Sequence, residues 1–301
     1  MKTQSILQTL LVGIFAIPML AMSIQKRKPA STEPIYLNHF YMVLDSATFK
    51  AIASDEFLQK QFAVPEQRTT VRKDITYMAL YFYGANTYIE FMEASQAKQI
   101  GLGAPFGIAL GVDEAGGLQA LEKQIPTEID LNPEPRTRLF DDKQLGWFFI
   151  ARPKNLPYIN LWLMEWHPEY LTAIKSKVSP QETTVSRKQF IESYSGVLGK
   201  NPQKAYLQDV IGLTISLDKT RAARLVDVVQ LLGYRTSTKS NTTLLQGPDF
   251  TMTVVAEADS TKARGIQQIN MRTRATPTKT VHHFGTSTLR FERNNLATWS
   301  F

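Results

Sequence analysis

Two ionisable residues stand inside stretches that otherwise read as apolar strands. His39 lies in IYLNHFYMVLD (residues 35–45), and Glu90 lies in NTYIEFMEA (residues 86–94). Burying an unpaired charge among apolar and aromatic neighbours is costly. A divalent metal would satisfy both residues, and so would a direct histidine–carboxylate hydrogen bond. Imidazole with carboxylate suits zinc, iron, manganese or nickel, and two protein ligands leave positions open. At such a metal the open positions can take a substrate, and developing negative charge is stabilised by the Lewis acid. Glu90 is the candidate proton carrier. Glu165 or His167 is the candidate third ligand. The bland alternative is that His39 and Glu90 bond each other, or neighbouring tyrosine hydroxyls, as satisfied core residues.

A third reading needs no metal. Tyr41, Tyr81, Tyr83, Tyr88, Trp147 and Trp162 are many aromatic residues for strand positions. Part of them must pack the core, and the rest can line a concave small-molecule site. Strand alternation places Leu37, His39, Tyr41 and Val43 on one face of the first strand. It places Tyr88 and Met92 with Glu90. Arg68 and Arg72 stand near the second strand, where they can meet an anionic ligand or remain solvated. His282 and His283 are adjacent, so a regular strand points them to opposite faces. They read as surface residues.

The elements that position these residues repeat along the chain. The first strand ends at Asp45, and Asp45 or Ser46 can cap a helix with Phe49, Ile52, Phe57 and Phe62 as its apolar stripe. Val64-Pro65 ends that helix. Strands over 69–76, 78–83 and 86–94 follow, giving β-α-β-β-β. A second copy opens with a strand over 104–113, again ending in aspartate. It continues with a short helix over 118–124 and strands over 147–151 and 159–166. Helices over 169–178 and 187–194 make a connection. A third start, residues 210–218, also ends in aspartate and leads to a helix over 220–232 closed by Gly233. Strands over 242–245 and 250–256 complete it. Strands over 266–272, 286–291 and 297–301 form a tail, readable as a fourth unit without its helix.

Composition narrows the classes. The 301 residues are 43% hydrophobic and 20% charged, with a net charge of +7 and no cysteine. Disulfides, zinc–thiolate sites, iron–sulfur clusters, cysteine nucleophiles and a lipoprotein anchor are thereby excluded. The basic residues are spread along the chain and carry no nucleic-acid motif, so no nucleic-acid partner is expected. Residues 1–24 read as an export signal, with Lys2 before an apolar run from Ile6 to Leu20. The basic run Lys26-Arg27-Lys28 argues for the alternative, an uncleaved membrane anchor over residues 5–24. Residues 25–34 read as a linker. The expected location is periplasmic or extracellular, with membrane contact only through the N-terminal segment.

LNHFYMVLD followed by TYIEFMEA resembles the glyoxalase/bleomycin-resistance/extradiol-dioxygenase superfamily, the vicinal oxygen chelate proteins. The pattern is also similar to an uncharacterised group of exported bacterial proteins. The resemblance implies an α+β fold of repeated βαβββ modules forming half-open barrels. It implies paired modules over 35–170 (35–94 and 105–170), a helical connection over 171–208, and a degenerate third module with C-terminal strands over 209–301. In the superfamily's metal enzymes, a His on the first strand and a Glu on the last strand of each module hold one metal. His39 and Glu90 match those positions. The second module has Gly107 where its His would stand, with Trp162 in register for the Glu and Glu165 displaced. The third has Gly212 and Thr253. The functions implied are a metal-dependent lyase, isomerase or dioxygenase, or else a metal-free, non-catalytic small-molecule binding or sequestration protein.

Overall fold

A computed structural model describes residues 34–71, 76–125, 131–153, 156, 159–178 and 186–301. The expected export signal or anchor and nearly all of the linker lie outside the described residues, and so does Arg72. Among the described residues, no helix is long and apolar enough to cross a membrane.

The chain folds as α+β and builds two eight-stranded sheets from four consecutive units. The first unit is β1 (Tyr36–Leu44), α1 (Ser46–Ser54), β2 (Val64–Val71), β3 (Thr76–Tyr83) and β4 (Tyr88–Glu93). A short helix α2 (Ala94–Gln99) leads to the second unit: β5 (Phe106–Gly111), α3 (Gly117–Gln124), β6 (Glu134–Phe140), β7 (Lys143–Ala151) and β8 (Asn160–Trp166). Helices α4 (Pro168–Val178) and α5 (Arg187–Val197) join the halves. The third unit is β9 (Leu207–Asp218), α6 (Lys219–Leu231), β10 (Arg235–Lys239), β11 (Thr242–Gln246) and β12 (Thr251–Glu257). The fourth is β13 (Gly265–Thr273), β14 (Val281–Phe284), β15 (Ser287–Phe291) and β16 (Leu296–Ser300).

Both sheets have the same plan. The order is β2-β3-β4-β1-β5-β8-β7-β6 in one and β10-β11-β12-β9-β13-β16-β15-β14 in the other. In the first three units the helix carries the chain back, so the first and last strands pair in parallel. The fourth unit has only residues 274–280 between β13 and β14. That is too short for a crossover, so β16 pairs antiparallel with β13 instead.

The repeated aspartates have separate uses. Asp45 accepts hydrogen bonds from the backbone N–H groups of Ala47 and Thr48, at 3.0 and 2.9 Å, and caps α1. Asp218 caps α6 through Arg221 N–H at 3.0 Å. Asp113 is instead taken by Arg187, which bonds it through backbone N–H and Nε. The start of α3 is therefore left to another carboxylate. Glu165 accepts from Gly116 N–H at 2.7 Å and Leu118 N–H at 3.0 Å.

A large core runs between the two sheets and includes α1, α3 and α6. Trp299 at its centre meets the rings of Phe62, Phe82 and Phe91 at 5.7, 6.3 and 5.2 Å. His282, expected at the surface, is buried here. Its ring stacks on Phe57 at 4.3 Å, and Nε2 lies 3.1 Å from the Lys279 carbonyl. His283 is exposed, as the opposite-face argument requires. Arg187 also joins the halves: it is 5% exposed and bonds Asp113, Asp249 and the Leu37 carbonyl.

A second core fills the concave face of the first sheet and is roofed by α4 and α5. Trp166 stacks on Phe190 at 3.6 Å. The two edge strands each give the roof one guanidinium: Arg68 on β2 donates to the Tyr194 hydroxyl at 3.0 Å, and Arg138 on β6 donates to the Tyr170 hydroxyl at 2.9 Å. The connection thus spans the seam that the half-open barrel leaves between β2 and β6.

Candidate functional site

The concave face of the first sheet encloses a cavity of about 180 Å3. His39 and Glu90 both line it, with Tyr41, Tyr81, Tyr88 and Trp162. The pleat explains this convergence. In the parallel β1/β4 pair, His39 stands opposite Tyr88, and Tyr41 stands opposite Glu90. His39 and Glu90 are therefore diagonal neighbours on one face. One correction applies to β1. The ladder with β5 shifts between Leu37 and His39, and this irregularity changes the alternation. Leu37 joins Phe40, Met42 and Leu44 in the inter-sheet core, while Tyr41 and Val43 pack on the cavity side.

Each ionisable group has its own partner. The His39 imidazole stacks on Tyr88, centroids 4.3 Å apart and 9° from parallel, and meets the edge of Trp162 at 5.3 Å. Its Nδ1 lies 2.9 Å from the Asn38 side-chain oxygen. Glu90 accepts the Tyr81 hydroxyl proton at 2.9 Å. Among the described residues no hydrogen bond joins His39 to Glu90 directly. Burial lowers the His39 pKa to about 3, helped by the positive charge of Arg68. The ring is therefore neutral at pH 7. Burial raises Glu90 to about 7, against the opposing pull of the Tyr81 hydrogen bond and Arg68. Tyr41 is raised to about 12 by burial, although it accepts a 2.8 Å hydrogen bond from Asn160.

The remaining expected residues divide. Tyr83 lies behind the cavity wall, its hydroxyl 2.7 Å from Glu66 in a network with Arg68 and Tyr194. Glu165 and His167 are not brought to His39. Glu165 points to the opposite face of β8 and caps α3, as described above. His167 packs its ring on Phe149 at 4.9 Å and accepts from Glu169 N–H at 3.3 Å. Both line a separate outer pocket. The alternation that puts Trp162, Met164 and Trp166 inward sends Glu165 outward.

These positions test the two-His, two-Glu metal shell. A Cβ at Gly107 would stand 2.3 Å from Tyr41 Cε1 and 2.8 Å from Trp162 Cζ3. Two aromatic rings thus fill the space of the second His. Trp162, opposite Ala109, takes the register position of the second carboxylate. Among the described residues no group of three or more His, Cys, Asp or Glu side chains can hold a metal. The four-ligand shell does not fit this barrel, and among the described residues that line the cavity the histidine and carboxylate donors are His39 and Glu90. The second sheet lacks the corresponding pair altogether. Gly212 and Thr253 stand at the matching positions, since Thr214 opposite Thr253 repeats Tyr41 opposite Glu90.

Sequence reasoning missed several cavity residues. Tyr77, Met164 and Trp166 line it, as do Arg136 and Arg152. The β8 aromatics were open to the same alternation argument. The arginines had no such signal, because a guanidinium on a polar edge strand (Arg136) or just past a strand end (Arg152) reads as solvated charge.

Paired βαβββ units with a covered concave cavity define a glyoxalase-like α+β fold. The chain belongs to the family described as "Family of unknown function (DUF5829)", whose model matches residues 37–301. No curated protein matches the chain. Among solved structures, a hypothetical protein from Staphylococcus aureus aligns with a TM-score of 0.51 and 10% identity, over 87% of this chain and 97% of that one. An extradiol ring-cleaving dioxygenase from B.fuscum aligns with a TM-score of 0.42 and 10% identity, over 90% of this chain and 73% of that one. These likenesses concern the fold, and the second is too loose to bear on chemistry.

Proposed function

We propose that this chain is a small-molecule-binding protein whose cavity operates without a metal held by protein ligands. One observation carries the reading. The first concave face is closed into a cavity lined by aromatic rings around two polar groups, and the positions of a second His and Glu are filled by Tyr41, Trp162 and the contact at Gly107. Apolar walls with a few placed polar groups are the usual form of a ligand site. Neutral His39 and Glu90, poised near 7, supply hydrogen bonds there rather than fixed charge. The apolar run from Ile6 to Leu20 supports export of the protein to a compartment outside the cytoplasm.

The chain's tryptophans provide the assay. Trp147, Trp162 and Trp166 line the cavity, while Trp299 is buried in the inter-sheet core. A screen of single-ring compounds read by tryptophan fluorescence should give saturable quenching. Tyr88→Ala and Trp162→Ala should weaken it without removing the cooperative unfolding reported by Trp299. If no compound gives a saturable change, or hits bind these variants as tightly as the parent, the reading fails.

A further inference from the structure

The polar groups of the cavity are unequal in sign. Among the described residues, three guanidinium groups line it: Arg68 from β2, Arg136 from β6 and Arg152 just beyond β7. Among the described residues, Glu90 is the one carboxylate that lines it. Arg68 and Arg136 come from the two opposite edges of the half-barrel, so they face the enclosed space from two sides. Arg68 is held in place from behind. Its side chain is 13% exposed, pairs with Glu66 at 2.9 Å and lies 4.0 Å above the Tyr81 ring. Glu66 is not a lining residue, so the pair presents its cation toward the cavity and its anion away. Arg136 pairs at 3.0 Å with Glu134, which is 57% exposed and screened by solvent. Arg152 is exposed, which places it at the mouth.

Size and shape supply the second constraint. A cavity of about 150 Å3 with apolar walls accommodates a benzene ring. The cavity here, about 180 Å3, has room for one ring and a small substituent. Tyr88 and Trp162 are the flat walls, and the guanidinium groups are fork-shaped donors suited to a carboxylate or similar planar anion. We infer that the natural ligand is a single-ring organic monoanion, its ring against Tyr88 and Trp162 and its anionic end toward Arg136 and Arg152. This assignment rests on the small-molecule reading above and narrows it to one charge class.

Benzoate, benzamide and benzylammonium separate charge from shape. The full protein is titrated with each, and quenching of tryptophan fluorescence is read at low and high salt. Benzoate should bind at least about tenfold more tightly than benzamide, with the preference shrinking in salt, and benzylammonium should bind weakest. Arg136→Gln and Arg152→Gln should each reduce benzoate affinity and leave benzamide affinity unchanged. Both side chains are solvent-accessible, so the variants are expected to fold, which their melting curves verify. Benzamide binding as tightly as benzoate, or benzoate binding untouched by both variants, overturns anion selection and leaves the small-molecule reading standing. No binding by any single-ring compound, charged or neutral, overturns both.

Discussion

His39 and Glu90 should oppose each other in the pH dependence of stability, and the opposition can be separated by mutation. In the unfolded chain the carboxyl titrates near 4.5; in the folded protein it titrates at about 7. The folded state therefore holds a proton that the unfolded state has lost, and stability falls as pH rises through this window. A shift of that size corresponds to about 3 kcal/mol. His39 runs the other way. Its pKa drops from 6.5 to about 3, so the unfolded state binds the extra proton and stability rises with pH over that range. The full effect is about 5 kcal/mol. Between pH 4.5 and 6.5 the two slopes cancel. Below 4.5 His39 acts alone, and stability declines toward acid. From 6.5 to 7 Glu90 acts alone, and stability declines slightly. Urea unfolding across pH 4 to 8 for wild type, His39→Gln, Glu90→Gln and the double variant tests this, with each single variant compared with the double variant so that other carboxylates cancel and only the remaining group's slope is left. His39→Gln should expose the Glu90 slope, losing about 3 kcal/mol from pH 4.5 to 7. Glu90→Gln should expose the opposite slope, gaining stability up to pH 6.5. Difference profiles that stay flat for both variants would refute the assignment of two buried, oppositely shifted groups.

Three further outcomes are expected. Arg187→Met strands Asp113, Asp249 and the Leu37 carbonyl between the two halves, and should cost about 3–5 kcal/mol in urea unfolding; a loss below about 1 kcal/mol would show that the bridge is dispensable. Gly107→Ala forces Tyr41 and Trp162 apart and should cost about 1–3 kcal/mol; a variant with unchanged melting temperature would show that the rings yield freely. When the full chain is expressed with its own N-terminus, mass spectrometry of the exported protein should find a start near residue 24; an intact N-terminus in the membrane fraction would favour the anchor instead.

The interior strands were legible because their residues carry the signal that burial leaves. β1, β3, β4, β5, β8, β9 and β12 are runs of apolar and aromatic side chains, and the aspartates at the ends of β1, β5 and β9 exposed the repeat. The edge strands were not. β6, β10 and β14 were missed and β2 was placed too late, and these four are the edges of the two sheets. An edge strand buries little and tolerates proline, since an N–H facing solvent needs no partner. Pro65 and Pro135 therefore read as breaks although both lie within strands. The cavity followed the same division. His39, Tyr41, Tyr88 and Glu90 come from interior strands and were placed together by alternation. Arg68 and Arg136 come from edges, and their role depends on the barrel's curvature and the roof of α4 and α5. Glu165 illustrates the remaining gap. Its displacement by one residue from a facing position sends it through the sheet to cap α3, a use visible only once Asp113 is seen bound to Arg187.

Ligand titration in the presence and absence of a strong chelator decides whether the cavity binds its ligand without a metal. The protein is titrated with its best single-ring ligand while the cavity tryptophans are followed, first as purified and then with excess EDTA. Saturable quenching with one site per chain and the same affinity under both conditions is expected. Quenching that vanishes with the chelator and returns with zinc, iron, manganese or nickel would contradict it.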